Sequence, residues 1–142
     1  MSDTEKWSIN ETLLQSYRSI FISSQSFLLA VGAIVSGKSQ IVFYAIAAIS
    51  LLMIWAIWFP VVRARHRIVD YYKYGAVLSE SKRSELCSEE QYVHDYRLRK
   101  KANELLGIRN NWRHTRKKLD LLMPALISSV WLVLVIHEAC CA

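Results

Sequence analysis

The sequence predicts an all-α integral membrane protein with three transmembrane helices and a helical cytoplasmic segment between the second and third. Three observations carry that prediction. Hydrophobic residues make up 53% of the 142, and they gather in three blocks instead of recurring periodically as in a soluble domain. One block, Ile41–Val62, holds no charge, and at about 1.5 Å per residue it crosses the roughly 30 Å hydrocarbon core of a bilayer as a helix. The basic residues are segregated: Arg63–Lys118 holds 15 of the 18 Lys and Arg against 7 of the 12 acids, a net +8, while the turn after the first block holds only Lys38. Basic loops stay inside, so the middle segment, 63–120, is expected in the cytoplasm.

Residues 1–18 are polar and mixed in charge, unlike the basic start and short apolar core of a signal peptide. The N-terminus is therefore expected in the cytoplasm and the first apolar block in the mature protein. Ser8 and Glu11 have the S-x-x-E spacing of a capping box, from which a helix could run straight into the membrane.

The first span, 19–37, is the least hydrophobic block. Ser26, Ala30, Ala33 and Gly37 recur on one helical face, and small faces let membrane helices approach closely. Ser23, Ser24 and Gln25 could line a water-filled path or bond neighbouring helices.

A short turn leads to the second span, 41–62, which must run antiparallel to the first. Ala45 and Ala48 are expected to face the first helix. Trp55, Trp58 and Phe59 cluster toward its inner end, where indole rings favour the interface. Pro60 can kink the helix there.

Past the membrane, Ile68, Tyr71, Tyr72 and Ala76 keep helical spacing, so the second helix is expected to continue to about Gly75. Ser88 and Gln91 form a second capping box. The helix it opens is expected to run to Leu106, with Gly107 as its stop. Asn110 and Asn111 can cap a further turn before the third span, 121–138, and its external tail, 139–142. Three spans put the C-terminus outside, in the periplasm if the membrane is a bacterial inner membrane.

Arg63, Arg65 and Arg67 flank the membrane from the same side as Arg113, Arg116, Lys117 and Lys118. They form a topology signal and a contact for anionic lipid headgroups. Arg97–Lys101 is basic, but no groove-reading motif accompanies it, so no nucleic-acid partner is expected. His66, His94 and His114 fit no metal-ligand spacing. His137, Cys140 and Cys141 would share a helical face, as a soft metal site or a frayed end with incidental thiols. No nucleophile–base set, phosphate loop or carboxylate pair is visible, and no Lys, Arg, Asp or Glu falls inside the apolar runs 19–37, 41–62 and 121–137. Neither an enzyme, nor a cofactor, nor an ion-coupled transporter is expected.

The runs YRSIFISSQSFLLAVGAIV, WFPVVRARHRIVDYYKY and KANELLGIRNNWRHTRKKLDLLMP resemble the RipA family of small bacterial inner-membrane proteins. The resemblance spans about Tyr17 to Val135. It implies a multi-span protein of the cytoplasmic membrane that forms a homo-oligomer, an octamer, in a family whose founding member is linked to bacterial growth inside host cells. It brings no catalytic residues. A more distant likeness is to SLATT-type proteins, which pair a two-helix hairpin with a cytoplasmic helical region and are proposed to form pores; the third span departs from that plan. Two functions follow as expectations: an oligomeric structural or regulatory membrane protein with a cytoplasmic helical collar, or a pore built from the same oligomer.

Overall fold

The computed structural model describes residues 2–107 and 115–141, with side chains in the second stretch from Lys118 onward. The described residues are helical with no strand. Three helices are long and apolar enough to cross a membrane, Asp3–Val35, Gln40–Gly75 and Lys118–Cys141, which makes the chain a multi-pass membrane protein.

Helix α1, Asp3–Val35, begins earlier than the Ser8 spacing suggests. Ser2 is its N-cap: the Glu5 amide donates to Ser2 Oγ at 3.3 Å, and the Ser2 amide donates to Glu5 Oε2 at 2.9 Å. Ser8 is therefore an interior residue. The helix ends where Gly37 adopts φ 76°, a left-handed turn that favours glycine.

The second long helix has three parts: α2 (Gln40–Leu52), a π-helical stretch (Met53–Trp58) and α3 (Phe59–Gly75). The wide turn lies just before Pro60, which has no N–H to donate back along the helix and whose ring crowds the preceding turn. The expected kink is thus taken up as a π turn, in which Phe59 N–H reaches Ile54 O. The π turn also sets the inward face. Ile54, Trp58, Val62 and His66 are all buried, and steps of four would drift by about 40° each on a regular α-helix. The wider turn cancels part of that drift.

Trp58 consequently lies in the core, not at the interface. It stacks on Phe21 with ring centroids 4.2 Å apart and planes 10° from parallel. Trp55 stays on the outside and donates its indole N–H to Ser128 Oγ at 2.9 Å. Ala45 and Ala48 are exposed, contrary to expectation, and Phe43, Ala47 and Ser50 face inward. The Phe43 ring fills the gap beside Trp131, which an alanine could not.

Helix α7, Thr115–Cys141, runs parallel to α1 and packs against both other spans. Trp131, fully buried, is its anchor. Its ring lies against Phe43 and over Gly32, where a Cβ would come within 3.0 Å of it. Pro124 is buried within the first turns of α7.

Beyond the apolar runs, the first turns of α1 run beside α3. Arg83 pairs with Asp3, Lys6 lies over the Tyr72 ring, and Lys73 lies over Trp7. A short α4 (Glu80–Arg83) follows, then α5 (Glu89–His94), capped by Ser88 as expected. The expected single helix to Leu106 is broken at Asp95. Its extended backbone ends α5, and its carboxylate caps α6 (Tyr96–Leu106) by accepting from the Arg97 and Leu98 amides. Gly107, at φ 69°, closes α6. This hairpin packs on α3 through Tyr71, Tyr92, Ala102 and Leu106. Asn110, Asn111, Arg113 and His114 lie outside the described residues.

Candidate functional site

At one end of the three spans, α1, α3 and α7 each contribute one polar side chain to a single point. Asp120 on α7 is buried, its side chain 3% exposed. Arg18 on α1 donates to both of its oxygens, Nε to Oδ1 at 2.6 Å and NH2 to Oδ2 at 2.5 Å. His66 Nε2 on α3 lies 2.7 Å from the same Oδ2. A bidentate guanidinium–carboxylate pair fixes orientation as well as charge. The imidazole adds a third helix to the contact. A carboxylate withdrawn from water this far is costly unless both oxygens are engaged, and here they are.

The opposite end of the spans has a second buried acid. Glu138, near the end of α7, accepts from Ser36 Oγ at 2.5 Å and from the Gly37 amide at 2.9 Å. Both donors belong to the turn that closes α1, so Glu138 ties the end of α7 to that turn. Between the two acids, Trp131 Nε1 donates to Gln25 Oε1 at 3.4 Å. Gln25 Nε2, Ser50 Oγ and Trp58 Nε1 are buried with no partner among the described residues.

Together these groups act as clamps. Each joins helices distant in sequence, and each sits where a polar side chain has no lipid alternative. The arrangement holds a fixed carboxylate at each end of the spans. Cys141 Sγ in the tail lies 3.7 Å from His137 Nε2, and no group of three or more His, Cys, Asp or Glu among the described residues is placed to hold a metal.

The residues singled out in the sequence divide into three sets. Gln25 faces inward; Ser23 and Ser26 face outward, and Ser24 returns its hydroxyl to Ile20 O. Ala30, Ala33 and Gly37 are exposed, so no other helix among the described residues covers that face; a close approach between helices is at Gly32. Of the basic cluster, Arg63 is exposed, Arg65 turns to α1 and bonds Asn10 Oδ1 at 3.3 Å, and Arg67 turns the other way to Val93 O at 3.3 Å. Arg116 and Lys117 fall in the first turn of α7, Lys118 is half-buried, and Arg113 is outside the described residues.

Arg18, Asp120, Ser36 and Glu138 are not among the residues the sequence reading selects. A signal for them does exist. Arg18 and Ser36 bracket the first apolar run at the same separation as Asp120 and Glu138 bracket the third. Both pairs are therefore 102 residues apart in sequence. No family model, no curated protein and no solved structure matches this chain.

Proposed function

We propose that the chain is the subunit of a homo-oligomer in the bacterial cytoplasmic membrane, with a structural or regulatory and non-catalytic role. In this reading the first turns of α1, α3 and the α5–α6 hairpin form a helical collar on the cytoplasmic side. The orientation rests on the concentration of Lys and Arg between the second and third spans. Self-association is supported by one observation above others. Ser23, Ser26, Ala30 and Ala33 follow one another along α1 at steps of three and four, and all are exposed. That spacing is a seam along which two membrane helices can approach closely. The resemblance to the RipA family is consistent with an octamer and with support of growth in a host.

Replacing Ala30 or Ala33 by Leu should weaken the oligomer, because added bulk separates helices that meet through small residues. Light scattering of the detergent-solubilised protein reads this as lower mass. Unchanged mass for both variants would mean that the seam faces lipid.

The second reading is a pore, favoured by the outward Ser23 and Ser26. An oligomer closed around this seam would line its axis with hydroxyls. Gln25 does not join that lining. Planar-bilayer recordings separate the readings: verified oligomers that carry no current remove the pore.

A further inference from the structure

The corner between α5 and α6 has two arginines converging on one oxygen. Arg67 NH1 donates to Val93 O at 3.3 Å, and Arg99 NH1 donates to the same oxygen at 2.9 Å. Arg67 also has Arg63 near it as a like charge, as well as Arg99. A neutral carbonyl accepts one N–H from each guanidinium and neutralises neither. Val93 lies at the C-terminal end of α5, whose dipole supplies at most about half an elementary charge against two full positive ones. The carboxylate at the corner itself, Asp95, turns its Oδ1 to the Arg97 and Leu98 amides.

The corner also has a defined depth. Arg67 is five residues beyond Val62, about 7.5 Å along a helix. The polar layer of a bilayer is about 5–7 Å thick on each side. α5 runs toward the spans, since Cys87 O takes the Tyr71 hydroxyl, Glu89 takes that of Tyr72, and Val93 takes Arg67. The turn after it therefore meets the headgroup layer. The aromatic residue at that turn, Tyr96, is 68% exposed, with the Arg99 guanidinium over its ring. Tyrosine at this depth is an interface anchor.

We propose that Arg63, Arg67 and Arg99 bind the phosphate of an anionic phospholipid in the leaflet that this corner faces, with Tyr96 seated among the headgroups. Guanidinium forks suit the several acceptor oxygens of a phosphate better than lysines do. The inference rests on the three-span reading and adds to it a specific lipid contact, completed by a residue from the segment between spans.

The test uses the full chain in neutral detergent, titrated separately with dioleoyl phosphatidylglycerol, dioleoyl phosphatidylcholine and inorganic phosphate, with binding read by thermophoresis. Wild type should favour phosphatidylglycerol over phosphatidylcholine by about tenfold, with inorganic phosphate far weaker. Arg99→Gln should weaken phosphatidylglycerol binding about fivefold, at about 1 kcal/mol per basic residue. Arg97→Gln, an exposed neighbour, should change it less than about twofold. Arg99→Lys keeps the charge without the fork and should fall between wild type and Arg99→Gln, which separates lost charge from misfolding. No lipid preference in wild type, or equal effects of Arg99→Gln and Arg97→Gln, would overturn the site. Equal affinity for inorganic phosphate would overturn its assignment to lipid. Alkaline carbonate extraction of the same proteins reports on insertion: an inserted chain without the preference loses only this inference, whereas a wild type that is washed off loses the three-span reading itself.

Discussion

Asp120 accepts from Arg18 through both oxygens and faces His66 through one of them, with its side chain 3% exposed. Replacing such a carboxylate removes an attraction and also leaves two partners stranded. Asp120→Ala is expected to lower unfolding stability in detergent by about 3–5 kcal/mol. Arg18→Ala should cost at least as much, because it leaves the 3%-exposed Asp120 carboxylate with His66 as its remaining partner, whereas Asp120→Ala leaves a guanidinium that is 29% exposed. The double variant should be much less damaging than the two single changes added together, since both remove one contact. Strict additivity would show that the pair does not act as a unit. Such a pair gives little net stability compared with a well-packed apolar pair. What it supplies is position: a carboxylate between three helices rejects arrangements in which α7 has turned or moved.

Packing of the elements depends on one close approach. Trp131 fits between α1 and α2 only because Gly32 carries no side chain. Gly32→Ala is expected to cost about 1–3 kcal/mol by overpacking, and the companion change Trp131→Phe should recover part of it. Thermal unfolding that is unchanged by Gly32→Ala alone would show that the helices shift apart freely. Much at this scale is legible in the sequence. The apolar runs give the three spans, Gly107 gives a helix end and Ser88 a helix start, because each follows from local chemistry. The inward face of the second span is not legible. It depends on the π turn before Pro60, and the preference of indole rings for the interface assigns Trp58 there. The break at Asp95 escapes for a related reason: Asp also fits inside a helix, and only its capping of two amides reveals the turn. The two buried acids are hidden because each abuts an apolar run, where an acid is ordinarily solvated.

For the whole molecule, the three cysteines report on sidedness. Cys87 lies in the segment between spans, and Cys140 and Cys141 lie at the far end of α7. An impermeant thiol reagent applied to whole cells should reach the tail cysteines and not Cys87. Labelling proceeds through the thiolate. Burial pushes the Cys87 thiol above its ordinary value, so in opened membranes its reaction should be slow near neutrality and accelerate as pH rises. Labelling of Cys87 and Cys141 from the same side would overturn the threading. The two acid clamps have a further consequence. From Arg18 to Ser36 is 18 residues of helix, about 27 Å, and Asp120 and Glu138 match that length on α7. α1 and α7 are pinned to each other at both ends, so neither can slide along the other to suit a thicker or thinner bilayer. The pair is a ruler of fixed length. Hydrophobic mismatch must then be met by tilting the bundle as one body or by deforming the surrounding lipid, and the protein will favour membranes whose hydrocarbon thickness matches the distance between its clamps.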